Sequence, residues 1–167
     1  TTALSAIMPI AVSDLNLTTD CAKVGLVIVD EVNGFASVGA GNLAPPVPNA
    51  QVSTLVAATD RLAKEFTKCN WPILAFLDTH EPGKAEPPYP PHCEAGTGEE
   101  ELVPELKWLE NDVNTCLVRK DCINGFVGSI EASGKNRFVD WVNQNAITDI
   151  VVVGICTDIC VMDFVLT

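Results

Sequence analysis

At 167 residues, with 47% hydrophobic residues and a mean hydropathy of +0.24, the chain suits one domain, residues 1–167. That hydrophobic content argues against disorder, and the length is enough to bury roughly two-thirds of the unfolded surface. A formal charge of −12 sets it against nucleic acid and anionic lipid as partners, and no run approaches the ~20 apolar residues a membrane span needs. The seven cysteines are odd in number and mostly sit in or beside apolar runs, which fits reduced thiols in the cytoplasm or nucleus better than a disulfide framework.

Residues 1–22 lack periodicity and read as a polar lead-in. The chain opens on Thr1-Thr2, which reads as trimming or processing. ALSAIMPIAV has the outline of a weak signal core, but no basic residue precedes it and Pro9 interrupts it, so secretion is not the expectation. Val24–Val29 is the first expected strand and runs into Asp30. Asn33-Gly34 and residues 39–48 carry loop signals. Val52, Leu55, Val56, Thr59, Leu62, Ala63 and Phe66 then recur at helical spacing, with Asn49 as the cap. Pro72 is expected to stop that helix and open a second strand, residues 73–77, leading to Asp78 and His80.

Residues 81–104 contain six prolines. A structureless stretch of that length inside a compact domain is usually functional or disordered, and its proline stiffness favours function. Residues 116–118 form a third strand that leads to Lys120, and Phe138, Trp141 and Val142 mark a helix near 135–145. Residues 150–155 form a fourth strand, after which Thr157 or Asp158 is expected to cap a last helix containing Cys160. Strands alternating with helices predict an α/β fold, a three-layer α/β/α sandwich around a central parallel sheet with right-handed crossovers. In such sheets ligands bind outside the carboxyl ends of the strands. Asp30, Asp78, His80, Lys120 and Cys160 all follow strand ends.

Chemistry sharpens that placement. Cys160, in the first turn of the last helix, would have its thiolate favoured by the helix dipole. Backbone N–H groups of Cys156 and Cys160 would line an oxyanion hole. A buried structural cysteine, or a Cys156/Cys160 redox pair, is the plainer alternative. Asp30 is the candidate base for the thiol proton, against an ordinary loop acid. Lys120 would stabilise developing negative charge, against a structural ion pair. Asp78 and His80 fall on one side of an extended segment. With His92 they suit a divalent cation, Zn²⁺, Mn²⁺ or Fe²⁺, with positions left for water or substrate. Glu86 is a further candidate ligand, with Glu81 competing for that place, and two surface histidines in a loop are the alternative. Phe35 and Tyr89 are placed to wall a flat ring, although core packing would also explain Phe35. Trp108 has no assigned role.

At these residues the chain resembles the nicotinamidase branch of the isochorismatase-like cysteine hydrolases, and looks most like its plant members. The likeness runs through VGLVIVDEVNGF, WPILAFLDTH, YPPHCEAGT, RKDCINGFVGS and VVVGICTDICV, over about residues 23–167. The resemblance implies a catalytic triad of Asp30, Lys120 and Cys160, and one divalent metal, Zn²⁺ first, held by Asp78, His80 and His92. Where some members carry a further histidine or glutamate, Glu86 is this chain's candidate. It also implies that Phe35 and Tyr89 sandwich a pyridine ring beside Ile155, that the Ile155–Cys156 peptide is cis, and that the activity is amidohydrolysis of nicotinamide to nicotinate and ammonia in NAD salvage. Rival readings are a related cysteine hydrolase acting on another amide or an enol ether, a thiol redox sensor, and an inactive binding module. Family members continue past the thiol helix with more strands and helices, whereas this sequence stops at Thr167. It therefore reads as a truncated form with an open sheet edge, prone to form a homo-oligomer.

Overall fold

A computed structural model describes residues 22–84 and 86–167. The lead-in expected over residues 1–22 lies outside the described residues except for Ala22. The elements in chain order are β1 (Val24–Val29), a one-turn α1 (Asn33–Ala36), α2 (Ala50–Lys68), β2 (Ile73–Asp78), a 3-10 helix (Pro104–Asn111) and β3 (Thr115–Lys120). There follow a short α3 (Gly125–Gly128), α4 (Arg137–Gln144), β4 (Asp149–Gly154), a π-helical turn (Thr157–Val161) and α5 (Met162–Leu166).

All four strands are parallel, in the order β3-β2-β1-β4. β1 and β2 lie in the middle, and every one of their residues is buried. That is why VGLVIV and ILAFLD read as unbroken apolar runs rather than alternating ones. Alternate side chains feed two cores. Leu26, Ile28, Ile73, Ala75 and Leu77 pack with Val56, Ala63 and Phe66 of α2. Val27, Val29, Leu74 and Phe76 pack with Trp141 of α4 and Phe164 of α5 on the other face. Two cores on the two faces of one sheet make the expected three-layer sandwich.

Several boundaries differ from the sequence reading. Asn49 does cap α2, its side-chain oxygen accepting from the N–H groups of Gln51 and Val52. However, the helix ends at Lys68, and Asn70 turns the chain at φ 53°, so Pro72 is not what stops it. Neither Thr157 nor Asp158 caps the last helical segment. Cys156 occupies the cap position, with no side-chain hydrogen bond there. The turn that follows is π-helical, with Val161 N–H reaching back to Cys156 O at 3.2 Å, and its wider coil has no i, i+3 sequence signature. The 3-10 helix and α3 carry too few residues for periodicity to show. Trp108, on the 3-10 helix, donates its indole N–H to Asp60 of α2 at 2.9 Å, which gives it a packing role.

Register delivers the site. β2 and β3 pair so that Asp78 sits opposite Lys120, and β1 and β4 pair so that Val29 sits opposite Gly154. A side chain at Gly154, where φ is 137°, would collide with the Val29 backbone. Only glycine lets β4 leave the sheet that close to Asp30.

Candidate active site

Asp30 follows β1 directly and has φ 54°, a left-handed backbone that costs a non-glycine residue of order 1 kcal/mol or more. The turn aims its carboxylate across the sheet top at Lys120. Both side chains are wholly buried and lie 2.8 Å apart, at an angle poorly suited to a hydrogen bond, since neither Asp30 oxygen has a conventional donor among the described residues. Lys120 Nζ donates instead to Asp78 Oδ1 and to Cys122 O, both at 2.9 Å. One ammonium therefore bridges Asp30 and Asp78.

Their protonation follows from burial set against that bridge. Burial raises Asp30 and Lys120 opposes it, leaving the carboxyl at about 6. Asp78 would be raised by burial too, but the His92 hydrogen bond and Lys120 hold it at about 2. Burial works against the Lys120 charge, yet Asp30 and Asp78 outweigh it and keep the ammonium above the usual lysine range. The Cys160 thiol is a close neighbour of the Asp30 carboxylate. Burial, reinforced by the Asp30 charge, pushes it well above the ordinary cysteine value. The expected helix-dipole lowering is thus corrected. Cys160 is 9% exposed, four residues into a π-helical turn, and it rests as a thiol beside a carboxylate.

The second group is built by a loop that doubles back. β2 ends at Asp78, and His80 then pairs with residues 93–95, donating its N–H to Cys93 O at 3.0 Å and accepting from Ala95 N–H at 2.9 Å. That brings two histidines twelve positions apart onto one carboxylate. Asp78 Oδ2 lies 2.9 Å from His80 Nε2 and 3.2 Å from His92 Nε2. Glu86 Oε2 stands 3.7 and 3.6 Å from the same two nitrogens, while Glu81 is exposed and outside the cluster. His92 Nδ1 lies 2.8 Å from the Pro90 carbonyl. That carbonyl can only accept, so it holds a proton on Nδ1, and Nε2, which faces Asp78, is the nitrogen that would offer its lone pair once a cation replaced its proton. Asp78, His80 and His92 are all buried and present three ligand atoms within 4.8 Å of one another. Two imidazoles and a carboxylate on one side, with a second carboxylate at hand, are a donor set that fits a divalent cation.

Both groups meet at a cavity of about 180 Å³, which is room for a single-ring compound. Cys160, Cys156, Ile155, Phe35 and Tyr89 line it, as do Asp78, Glu86 and His92. Phe35 and Tyr89 flank the His92 ring at 5.6 and 6.1 Å. Asp30, Lys120 and His80 lie behind the wall. The Ile155–Cys156 peptide is cis, and the Cys156 N–H meets no backbone acceptor among the described residues. Cys156 and Cys160 are separate free thiols. Three lining residues escaped the sequence reading: Leu43, Ile123 and Ile159. Leu43 and Ile123 sit in aperiodic loops. Ile159 had a usable signal in being adjacent to Cys160.

A family model described as the isochorismatase domain matches residues 24–167. Nicotinamidase 1 of Arabidopsis thaliana is 60% identical over 146 residues, covering 87% of this chain and 60% of that protein. The chain thus spans three-fifths of the length of that curated relative. Among solved structures, a pyrazinamidase/nicotinamidase of Streptococcus mutans superposes with a TM-score of 0.71 at 22% identity, over 86% of this chain and 77% of the other. A pyrazinamidase of Pyrococcus horikoshii in complex with zinc superposes at 0.68 and 20% identity, over 86% and 76%. At such identities the structures speak for the fold.

Proposed function

Since the chain belongs to the isochorismatase domain family, we propose that it is a nicotinamidase, an amidohydrolase that converts nicotinamide to nicotinate and ammonia. The observation that carries this reading is the shared cavity, in which the Cys160 thiol with its Asp30 neighbour faces the same space as the Asp78 and His92 donors. The 60% identity to an Arabidopsis nicotinamidase supports nicotinamide over other amides. A cation-binding donor trio separates this reading from enol-ether cleavage, which needs no metal. Two free thiols, one with a carboxylate and an ammonium behind it, give the redox reading no use for Asp30 and Lys120.

Asp30, at about 6, is a carboxylate at neutral pH and takes the Cys160 proton as sulfur attacks the carboxamide carbon. The oxyanion is held by the backbone N–H groups of Cys156 and Cys160. Lys120 keeps the added charge near Asp30 tolerable and never gives up its own proton. Asp30 passes its proton to the amine, the C–N bond breaks, and ammonia leaves a nicotinoyl thioester on Cys160. Asp30 then takes a proton from water, whose oxygen attacks the thioester, and nicotinate leaves as the thiol is restored. Phe35 and Tyr89 hold the ring between them, beside Ile155. Asp78, His80 and His92, with Glu86 in reach, would hold the cation, Zn²⁺ before Mn²⁺ or Fe²⁺, and its chemistry is that of a Lewis acid able to anchor a ring nitrogen or acidify water.

We place the enzyme in the cytoplasm or nucleus, consistent with the six free thiols among the described residues and NAD salvage as its context. A homo-oligomer formed over the β4 edge, which pairs with no further strand among the described residues and where Ile150 is 40% exposed, is part of the same proposal, and light scattering tests it. The deciding experiment compares ammonia release from nicotinamide by the wild type and by Cys160→Ala. The variant should bind nicotinamide with no turnover. Release undiminished in Cys160→Ala, or wild type active only on another amide or on an enol ether, rejects the assignment.

A further inference from the structure

Glu99 touches three parts of the cavity's surround at once, although it lies outside the cavity. Its Oε2 accepts the N–H of Cys93 at 2.9 Å, and Cys93 directly follows His92. Its backbone carbonyl accepts the N–H of Gly34 at 2.8 Å, and Gly34 directly precedes Phe35. Its carboxylate packs on Gly41, where a β-carbon would clash with it. Gly41 leads into Asn42, which donates to Pro91 O at 2.7 Å, and into Leu43 of the cavity wall. The fit is tight at Gly34 as well, where a β-carbon would stand 2.6 Å from the Cys93 sulfur and 3.1 Å from Glu99 Cβ. No Lys or Arg pairs with Glu99 among the described residues. The neighbouring Glu100 spends its carboxylate inside its own loop, on the N–H groups of Gly96 and Gly98.

From this geometry we infer that Glu99 is a positioning residue that couples the His92 loop to the Phe35–Leu43 wall, so that cation affinity and ring recognition are set together. The inference rests on the reading of Asp78, His80 and His92 as a cation site. The carboxylate fixes the backbone one residue from a ligand, and the carbonyl of the same residue fixes the backbone one residue from an aromatic wall. A displacement of either is transmitted to the other through a single residue. At Gly41, Glu99 occupies the space a side chain would need, and at Gly34 the Cys93 sulfur does so first, with Glu99 beside it.

The test measures Zn²⁺ dissociation constants by chelator competition, and KM and kcat for nicotinamide at saturating Zn²⁺. The proteins are the wild type, Glu99→Ala, Glu99→Gln, Gly41→Ala and, as a purely structural control, Asn49→Ala. Glu99→Ala should weaken Zn²⁺ binding by about 10–100-fold and raise KM several-fold with kcat little changed. Gly41→Ala, which displaces the carboxylate without removing it, should produce the same pair of changes. Glu99→Gln should recover most of both, since its amide oxygen can still accept from Cys93. Asn49→Ala should lower thermal stability and move neither constant. Wild-type Zn²⁺ affinity and KM in Glu99→Ala, or only one of the two changing, overturns the coupling alone. A wild type that takes up no Zn²⁺ overturns the cation-site reading and the coupling with it.

Discussion

Glu31, directly after the candidate base, carries a carboxyl with half its hydrogen-bonding capacity unmet. The side chain is fully buried, Thr59 donates to Oε1 at 2.6 Å, and Oε2 has no partner among the described residues. Burial lifts it from 4.5 to about 7, the Thr59 bond only partly opposing. The folded state therefore holds this proton more tightly than the unfolded state. Stability is highest below the unfolded value and falls as pH rises from 4.5 to about 7, by on the order of 3 kcal/mol from this group. Glu31→Gln should remove that slope. Thermal midpoints of the wild type should drop between pH 5 and 7 relative to those of the variant, and parallel curves would show that Glu31 does not carry the effect. Asp30 acts with the opposite sign on rate, because its carboxylate form is the working one. The kcat/KM for nicotinamide should fall as pH drops through about 6, and Asp30→Asn should abolish activity across the range. A wild-type profile flat from pH 5 to 7.5 would contradict the base assignment.

At the scale of elements, short pieces hold the chemistry and long ones hold the fold. α3 is a single turn, yet a β-carbon at its Gly128 would stand 2.5 Å from Lys120 Cβ. Gly128→Ala should push the Lys120 stem and reduce kcat by roughly tenfold to a hundredfold, as ångström-scale misplacement does. Normal kcat in a folded variant would show that Lys120 has slack. The cap on α2 is separable from this, and Asn49→Ala should cost about 1 kcal/mol in denaturant unfolding with turnover per folded molecule unchanged. What could be read beforehand follows the same division. β1, β2 and α2 were legible because a six-residue apolar run and a nineteen-residue helix repeat their signal many times over. The 3-10 helix, α3 and the π-helical turn are too short to repeat anything. The cap at Cys156 escaped because backbone geometry, not a side-chain acceptor, starts that turn.

At the scale of the whole molecule, the sheet accounts for why the candidate site residues could be found at all. Parallel register puts the carboxyl ends of four strands on one rim, so Asp30, Asp78, Lys120 and the turn to Cys160 converge once the strands are known. The cavity wall was not readable in the same way. Leu43 and Ile123 reach it on loops whose course depends on tertiary hydrogen bonds such as Asn42 to Pro91, and these leave no periodic trace. The protonation of Cys160 is not legible in the same way, because a helix terminus is visible in sequence, whereas burial beside an aspartate is not. The account stands or falls on sulfur at residue 160 receiving the acyl group in the shared cavity. Mass spectrometry of protein loaded with Zn²⁺ and acid-quenched during nicotinamide turnover reads this directly. One nicotinoyl group on Cys160 itself, located by fragmentation of the peptide that also carries Cys156 and absent in Asp30→Asn, is the predicted result. A nicotinoyl group found on Cys156 instead would contradict it.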